Sequence, residues 1–175
     1  QLGGEGELPF EGVAFAVIGA VEAERTDRDD GRVGEQVREF VQQLVEAFWP
    51  GSLTIVLPAQ PSLAWDLGET GGTVALRMPD RALTLEILRE TGPLAVSSAN
   101  RTGEPAATTV AEAQAMLGDS IAVYLDDGPS SSDGVASTII DATKLDDDGG
   151  SIRILREGGV SREAIAELLP QVTIE

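Results

Sequence analysis

The chain has 175 residues, 42% of them hydrophobic but only 4% aromatic, and its 30 acidic and 12 basic side chains leave a formal charge of −18. With no cysteine and no histidine, disulfides, thiolate or imidazole metal sites, cysteine nucleophiles and any Ser-His relay are excluded, so chemistry has to run on carboxylates, arginines, hydroxyls and amides. Lys144 is the only lysine, and so acidic a chain disfavours direct nucleic-acid binding at ordinary salt, because that affinity comes mostly from Lys and Arg displacing counterions. The charge fits either plain solubility or adaptation to a salty, halophilic cytoplasm, where screening tames self-repulsion.

In chain order, Gln1 to Pro9 is glycine-rich and acidic and reads as a loop. Val13 to Val21 is an apolar run suited to a buried strand, and Glu22 to Gly34 is charged and exposed. From Glu35 the apolar positions Val37, Phe40, Val41, Leu44, Val45 and Phe48 recur at three and four, the pattern of one helix face, until Pro50 and Gly51 stop it. Leu53 to Leu57 is rich in β-branched residues and bounded by Pro58 and Pro61, which predicts a strand. Thr73 to Met78 predicts another, closed by Pro79, with Asp80 as the cap of a helix from Arg81 to Thr91.

Gly92 and Pro93 end that helix, and Leu94 to Ser97 is a short strand feeding the polar loop Ser98 to Ala107. Thr108 or Thr109 then caps a helix carrying Val110, Ala113, Met116 and Leu117. Ile121 to Leu125 reads as a strand, Asp126 to Gly134 is a loop, Ser137 to Asp141 is a strand, and Asp146 to Gly150 is an acidic turn or insertion. Ile152 to Leu155 reads as a last core strand, and Ser161 caps a helix with Ile165, Leu168 and Leu169 on one face. Strands and helices intermix without a repeat or an internal linker, which predicts one α/β domain over residues 1–175: a mixed twisted sheet flanked by helices around a central cleft. No stretch approaches the roughly 20 consecutive apolar residues of a membrane span, so a soluble cytoplasmic protein is expected. Gln1 in place of Met points to a natural start further upstream.

Four segments carry the chemistry. Phe48-Trp49-Pro50-Gly51-Ser52-Leu53-Thr54 forms a turn into a strand, and Thr73-Val74-Ala75-Leu76-Arg77-Met78-Pro79 sets a guanidinium at a strand end. There it either makes a surface ion pair or grips a carboxylate or phosphate through two parallel hydrogen bonds. Thr73 and Arg77, four residues apart, share a strand face. In Ser97-Ser98-Ala99-Asn100-Arg101-Thr102-Gly103-Glu104-Pro105, the Ser and Asn either close an ordinary turn or aim short polar groups at an anion. In Gly134-Val135-Ala136-Ser137-Thr138-Ile139-Ile140-Asp141, the two hydroxyls are either satisfied by the ladder or turned to a ligand, with Arg156 beyond the next strand. The runs Asp126-Asp127 and Asp146-Asp147-Asp148 read as solvated charge rather than a cation site, and Trp49 and Trp65 as packing rather than stacking platforms.

In this order the four segments resemble the YrdC family, whose members make threonylcarbamoyl-AMP from ATP, bicarbonate and L-threonine for tRNA modification. The resemblance covers roughly Val37 to Leu169. It implies a nucleotidyltransferase, L-threonylcarbamoyladenylate synthase, with Ser98 and Asn100 as the catalytic loop. It further implies ATP contacts from Thr73, Ser98, Asn100, Ala106 (main chain only) and Arg156, and threonine contacts from Arg77, the Val96 backbone and Ser137. Mg2+ would arrive with ATP, and tRNA-modification proteins are the expected partners. The chain departs from the family pattern at Ala136, where a glutamate is usual, and at Glu157, where a proline is usual. The family's Thr-Asp-Thr-x-Tyr-Gly loop and Lys-x-Arg motif have no counterpart here, so residues 1–36 read as a divergent or truncated portion and poor turnover of this stretch is expected. The alternative from a different class is a non-catalytic module that binds a nucleotide or an RNA end.

Overall fold

In the computed structural model, the described residues are 15–17, 35–60, 70–130, 135–145 and 150–175. The expected loop at Gln1 to Pro9, the charged stretch Glu22 to Gly34, Trp65, and Asp146 to Asp148 lie outside them.

Among the described residues, seven strands form one mixed sheet. They are β1 (Phe15–Val17), β2 (Leu53–Pro58), β3 (Thr73–Arg77), β4 (Leu94–Val96), β5 (Thr138–Lys144), β6 (Ser151–Arg156) and β7 (Thr173–Ile174), in the spatial order β4-β1-β3-β2-β5-β6-β7. The pairs β1/β3, β2/β5 and β6/β7 are parallel and the others antiparallel. Four α-helices among the described residues accompany the sheet: α1 (Glu35–Phe48), α2 (Ala82–Thr91), α3 (Val110–Leu117) and α4 (Arg162–Leu168). Among the described residues no helix is long and apolar enough to cross a membrane.

The core lies on one face of the sheet. The apolar stripe of α1 buries Val37, Phe40 and Leu44 against Leu53 and Ile55 of β2, Ile140 and Ala142 of β5, and Ile152 of β6, and α4 adds Ile165 and the following Leu169. Strand alternation then sends Thr54 and Val56 to the opposite face, where Val56, Ala75 and Ile139 make a much smaller cluster. Trp49 packs against the rim of the main core and donates its indole N–H to Leu53 O at 2.8 Å, as a packing residue should.

Three local expectations are corrected. Asp80 does not cap α2: Arg81 occupies the N-cap and its side chain makes no capping bond to the helix, so the helix starts at Ala82. Ile121 to Leu125 is not a strand. It follows a short 3-10 turn at Gly118–Ser120 and leaves Ile121, Val123 and Leu125 exposed, because no neighbouring strand among the described residues pairs with it. An apolar run alone cannot supply a partner. The strand predicted from Ser137 to Asp141 begins at Thr138 and runs on to Lys144. The other caps are resolved: Thr109 Oγ1 accepts the Glu112 amide, Thr108 binds the Glu112 carboxylate through its own N–H and hydroxyl, and Ser161 Oγ accepts the Ala164 amide.

Candidate active site

The face of the sheet turned away from α1 carries a polar row. In β2/β3 the register pairs Ile55 with Leu76, so its next step sets Thr54 beside Arg77. In β2/β5 the pairing of Leu53 with Thr138 brings Ser137 level with Ser52, and Thr138 N donates to Ser52 O at 2.9 Å. Arg156 reaches this row by an irregularity. Ile140 pairs with Ile154, which faces the core, whereas Ile139 pairs with Arg156, so one extra residue, Leu155, is accommodated in β6. Unbroken alternation from Ile152 and Ile154 would turn Arg156 towards the core; the bulge turns it to the opposite face, beside Ser137.

Arg156 then donates from Nε to Ser137 O and from Nη2 to Ser137 Oγ, both at 3.0 Å. Gly158 permits this closeness: a Cβ there would overlap the main chain of Ala136 and Ser137, and the neighbouring Gly159 N–H donates to Ala136 O at 3.0 Å. Ser137 Oγ also lies 2.9 Å from Thr54 Oγ1, and both side chains are buried. Arg77 Nε donates to Gly51 O at 2.9 Å, which anchors the guanidinium to the turn after Trp49. Burial and, second, the positive charge of Arg156 hold the Arg77 pKa below the usual arginine range. Among the described residues neither Arg77 nor Arg156 has a carboxylate partner. Two neighbouring cations without a counter-charge make a place for an anion.

Arg77 also borders a hollow of about 700 Å³. Its walls include Ser97, Ser98 and Asn100 of the polar loop, Thr109 at the head of α3, and the extended segment from Ile121 to Leu125. The loop is folded on itself: Asn100 Nδ2 donates to Arg101 O at 3.0 Å and Glu104 O at 2.9 Å, and Ala107 N donates to Ala99 O. These bonds fix the amide, and Asn100 Oδ1 is left buried without a partner among the described residues, an acceptor suited to a ligand hydroxyl or amine.

The anticipated residues therefore fall into three groups. Arg77, Ser98 and Asn100 line the hollow; Arg77, Ser137 and Arg156 share the polar row; Thr73, Val96 and Ala106 belong to neither. Thr73 is on the Arg77 face, but at roughly 3.3 Å per residue it lies about 13 Å along β3, and its hydroxyl donates to Thr70 O at 2.9 Å. Val96 and Ala106 are exposed and one residue removed from the lining residues Ser97 and Ala107. Sequence reasoning missed Thr54, whose place in an apolar strand gave no sign, and Arg81. From the N-cap of α2, Arg81 donates to the Asp127 carboxylate at 2.9 Å and to the Asp127 and Pro129 carbonyls, tying the far wall of the hollow to the helix.

Comparison with known proteins bears on the same segments. The Sua5/YciO/YrdC family model, which carries the description telomere recombination, matches residues 28–158. A Mycobacterium tuberculosis protein, named provisionally as a threonylcarbamoyl-AMP synthase, is 51% identical over 128 residues, covering 73% of this chain and 56% of the relative. The threonylcarbamoyl-AMP synthase of Bacillus subtilis is 37% identical over 140 residues, 78% of this chain and 38% of that protein. The crystal structure of Pyrococcus abyssi Sua5 complexed with L-threonine superposes with a TM-score of 0.76 at 27% identity, over 95% of this chain and 46% of that one. The chain thus spans about half the length of the relatives it matches. The mixed α/β sheet, the motif order and these matches agree: the chain belongs to the Sua5/YciO/YrdC family.

Proposed function

We propose that this chain carries the site of an L-threonylcarbamoyladenylate synthase, which joins L-threonine, bicarbonate and ATP into threonylcarbamoyl-AMP for tRNA modification. The observation that carries the reading is the pair of neighbouring guanidiniums, Arg77 and Arg156, that lack carboxylate partners among the described residues: Arg156 bonds the buried hydroxyl of Ser137, and Arg77 borders a ligand-sized hollow. Relatives bear the name of this activity, and the P. abyssi protein binds L-threonine.

In this reading the threonine amine adds to the carbon of bicarbonate-derived carbon dioxide and loses a proton, giving a carbamate. A carbamate oxygen then attacks the α-phosphorus of ATP, and pyrophosphate leaves. Arg77, with both Nη groups unengaged among the described residues, holds the threonine carboxylate with Ser137 and the Val96 backbone. Arg156, Ser98, Asn100, Thr73 and the Ala106 main chain serve the nucleotide. The protein's part is positioning and charge neutralisation. With no histidine in the chain, protons pass to substrate groups, water or phosphate. Mg2+ enters bound to the ATP phosphates. The same reading puts the protein in the cytoplasm beside partner proteins of tRNA modification, with its acidity, whether for solubility or for salt adaptation, keeping direct RNA contact weak.

Pyrophosphate release in the presence of L-threonine, bicarbonate and Mg-ATP tests the proposal. Release that needs all three substrates is expected. Tight nucleotide binding with no release would replace it with a non-catalytic binding module.

A further inference from the structure

Two arginines, Arg77 and Arg81, border the same hollow and use their guanidiniums differently. Arg77, at the end of β3, commits Nε to Gly51 O and keeps both Nη groups unengaged among the described residues. Arg81, at the N-cap of α2, commits each of its three nitrogens to one stretch of the far wall. Its Nε donates to the Asp127 carboxylate at 2.9 Å, Nη2 to Asp127 O, and Nη1 to Pro129 O at 3.4 Å. Gly128, between the two carbonyls, has a φ of 76°, a left-handed turn that a side chain would strain. An exposed ion pair by itself contributes little. A guanidinium fork seated on a carboxylate and two carbonyls also fixes the course of the backbone.

That course matters because the wall has few other ties. Residues 121–130 contain no helix or strand, and Ile121, Val123 and Leu125 are 41%, 69% and 57% exposed, so burial does not hold the segment. Among the described residues its other hydrogen bonds outside itself run to the two ends of α3. Ile121 N and the Tyr124 hydroxyl donate to Gly118 O, and Ser130 N donates to Thr108 O at 2.8 Å. Arg81 alone bonds the segment to α2, across the hollow. We propose that Arg81 is a positioning residue for the nucleotide: it holds the wall of residues 121–130 in place opposite Ser98 and Asn100, and its own charge is matched by Asp127 where that of Arg77 is not. The identity of the ligand rests on the functional reading above; the hold on the wall does not. The hollow then fits a nucleotide only as closely as Arg81 keeps its wall, so the loss of an ion pair remote from the chemistry is felt as a loss of nucleotide affinity.

The test has two arms. In the protein without ligand, backbone NMR order parameters over residues 122–128 should be those of ordered chain, about 0.85, and should fall below about 0.6 in Arg81→Ala, while the strands keep theirs. Values already low in wild type, or unchanged by Arg81→Ala, overturn the proposal whatever the ligand proves to be. In the second arm, calorimetry with Mg-ATP is run on wild type, Arg81→Ala, Arg81→Lys, Asp127→Ala and the Arg81→Ala/Asp127→Ala double variant. Arg81→Ala should weaken binding about tenfold, and Arg81→Lys, which keeps the charge without the fork, should recover only part of that. Asp127→Ala should weaken binding as well, by about threefold, since the bonds to the two carbonyls remain. The double variant should bind no worse than Arg81→Ala, because both changes act through the same wall. A direct effect of the Arg81 charge on the phosphates has the opposite sign, since removal of the Asp127 carboxylate would then strengthen binding. Tighter binding by Asp127→Ala, full recovery by Arg81→Lys, or additive losses in the double variant would each overturn the positioning role. If wild type fails to bind Mg-ATP, the functional reading falls, and the NMR arm alone decides whether Arg81 holds the wall.

Discussion

The two faces of the sheet are built for different purposes from the same strands. On the α1 and α4 face, Leu44, Leu53, Ile55, Ile140, Ile152, Ile165 and Leu169 are wholly buried in one apolar cluster. On the other face, among the described residues, only Val56, Ala75 and Ile139 cluster, and the positions beside them are given to Arg77, Thr54, Ser137 and Arg156. Alternation makes this division possible within single strands: Leu53 and Ile55 support the fold while Thr54, between them, joins the polar row. The consequence is a separation of effects, with stability residing on one face and recognition on the other.

The largest break in that comparison should come from Phe40→Ala. Phe40 is 2% exposed at the centre of the main cluster, and removal of so large a buried ring costs about 3–5 kcal/mol. Chemical denaturation should record this loss, while the fraction that remains folded binds ligand as wild type does. Arg77→Ala should do the reverse. Loss of a charged contact to the substrate weakens L-threonine binding by more than tenfold, about 1.4 kcal/mol or more in calorimetry, with a smaller effect on the melting temperature; unchanged affinity would remove Arg77 from the site.

The smallest expected effect sharpens the boundary. Asp141 lies on the site face, next to Ile140 of the core. Burial by itself would raise its pKa, but the Thr143 hydroxyl and amide and the Arg153 guanidinium, 3.2 Å away, outweigh burial and hold it below the usual carboxylate range. A carboxyl depressed in the folded state stabilises above its unfolded pKa of about 3.9, and the contribution is lost as pH falls through the folded value. Asp141→Asn should therefore cost at most about 1 kcal/mol at neutral pH, in keeping with a partly exposed pair, and nothing in strong acid. A difference that persists below pH 2 would show that Asp141 acts through packing.

Much of the supporting face was legible in the sequence. The three-and-four spacing of α1, the β-branched run of β2 and the Thr and Ser caps of α3 and α4 are local signals, and local physics realises them. The site face was harder to read. Arg77, Ser98, Asn100, Ser137 and Arg156 were marked only because their motifs resembled a family, each having an ordinary structural reading of its own. The bulge at Leu155 that turns Arg156 to Ser137 depends on pairing with β5, which no window of sequence reveals. Thr54 was hidden because a hydroxyl in an apolar strand looks like a tolerated exception until its partner, 83 residues away, is known. Ile121 to Leu125 misled for the converse reason: an apolar run marks a segment able to be a strand, but a strand also needs a neighbour.

The most direct test of the central claim is a crystal structure of the protein with L-threonine bound. The account predicts the substrate carboxylate in contact with Arg77 and with the Ser137 hydroxyl, and Arg156 still bonded to Ser137. A carboxylate that touches neither Arg77 nor Ser137 would contradict it.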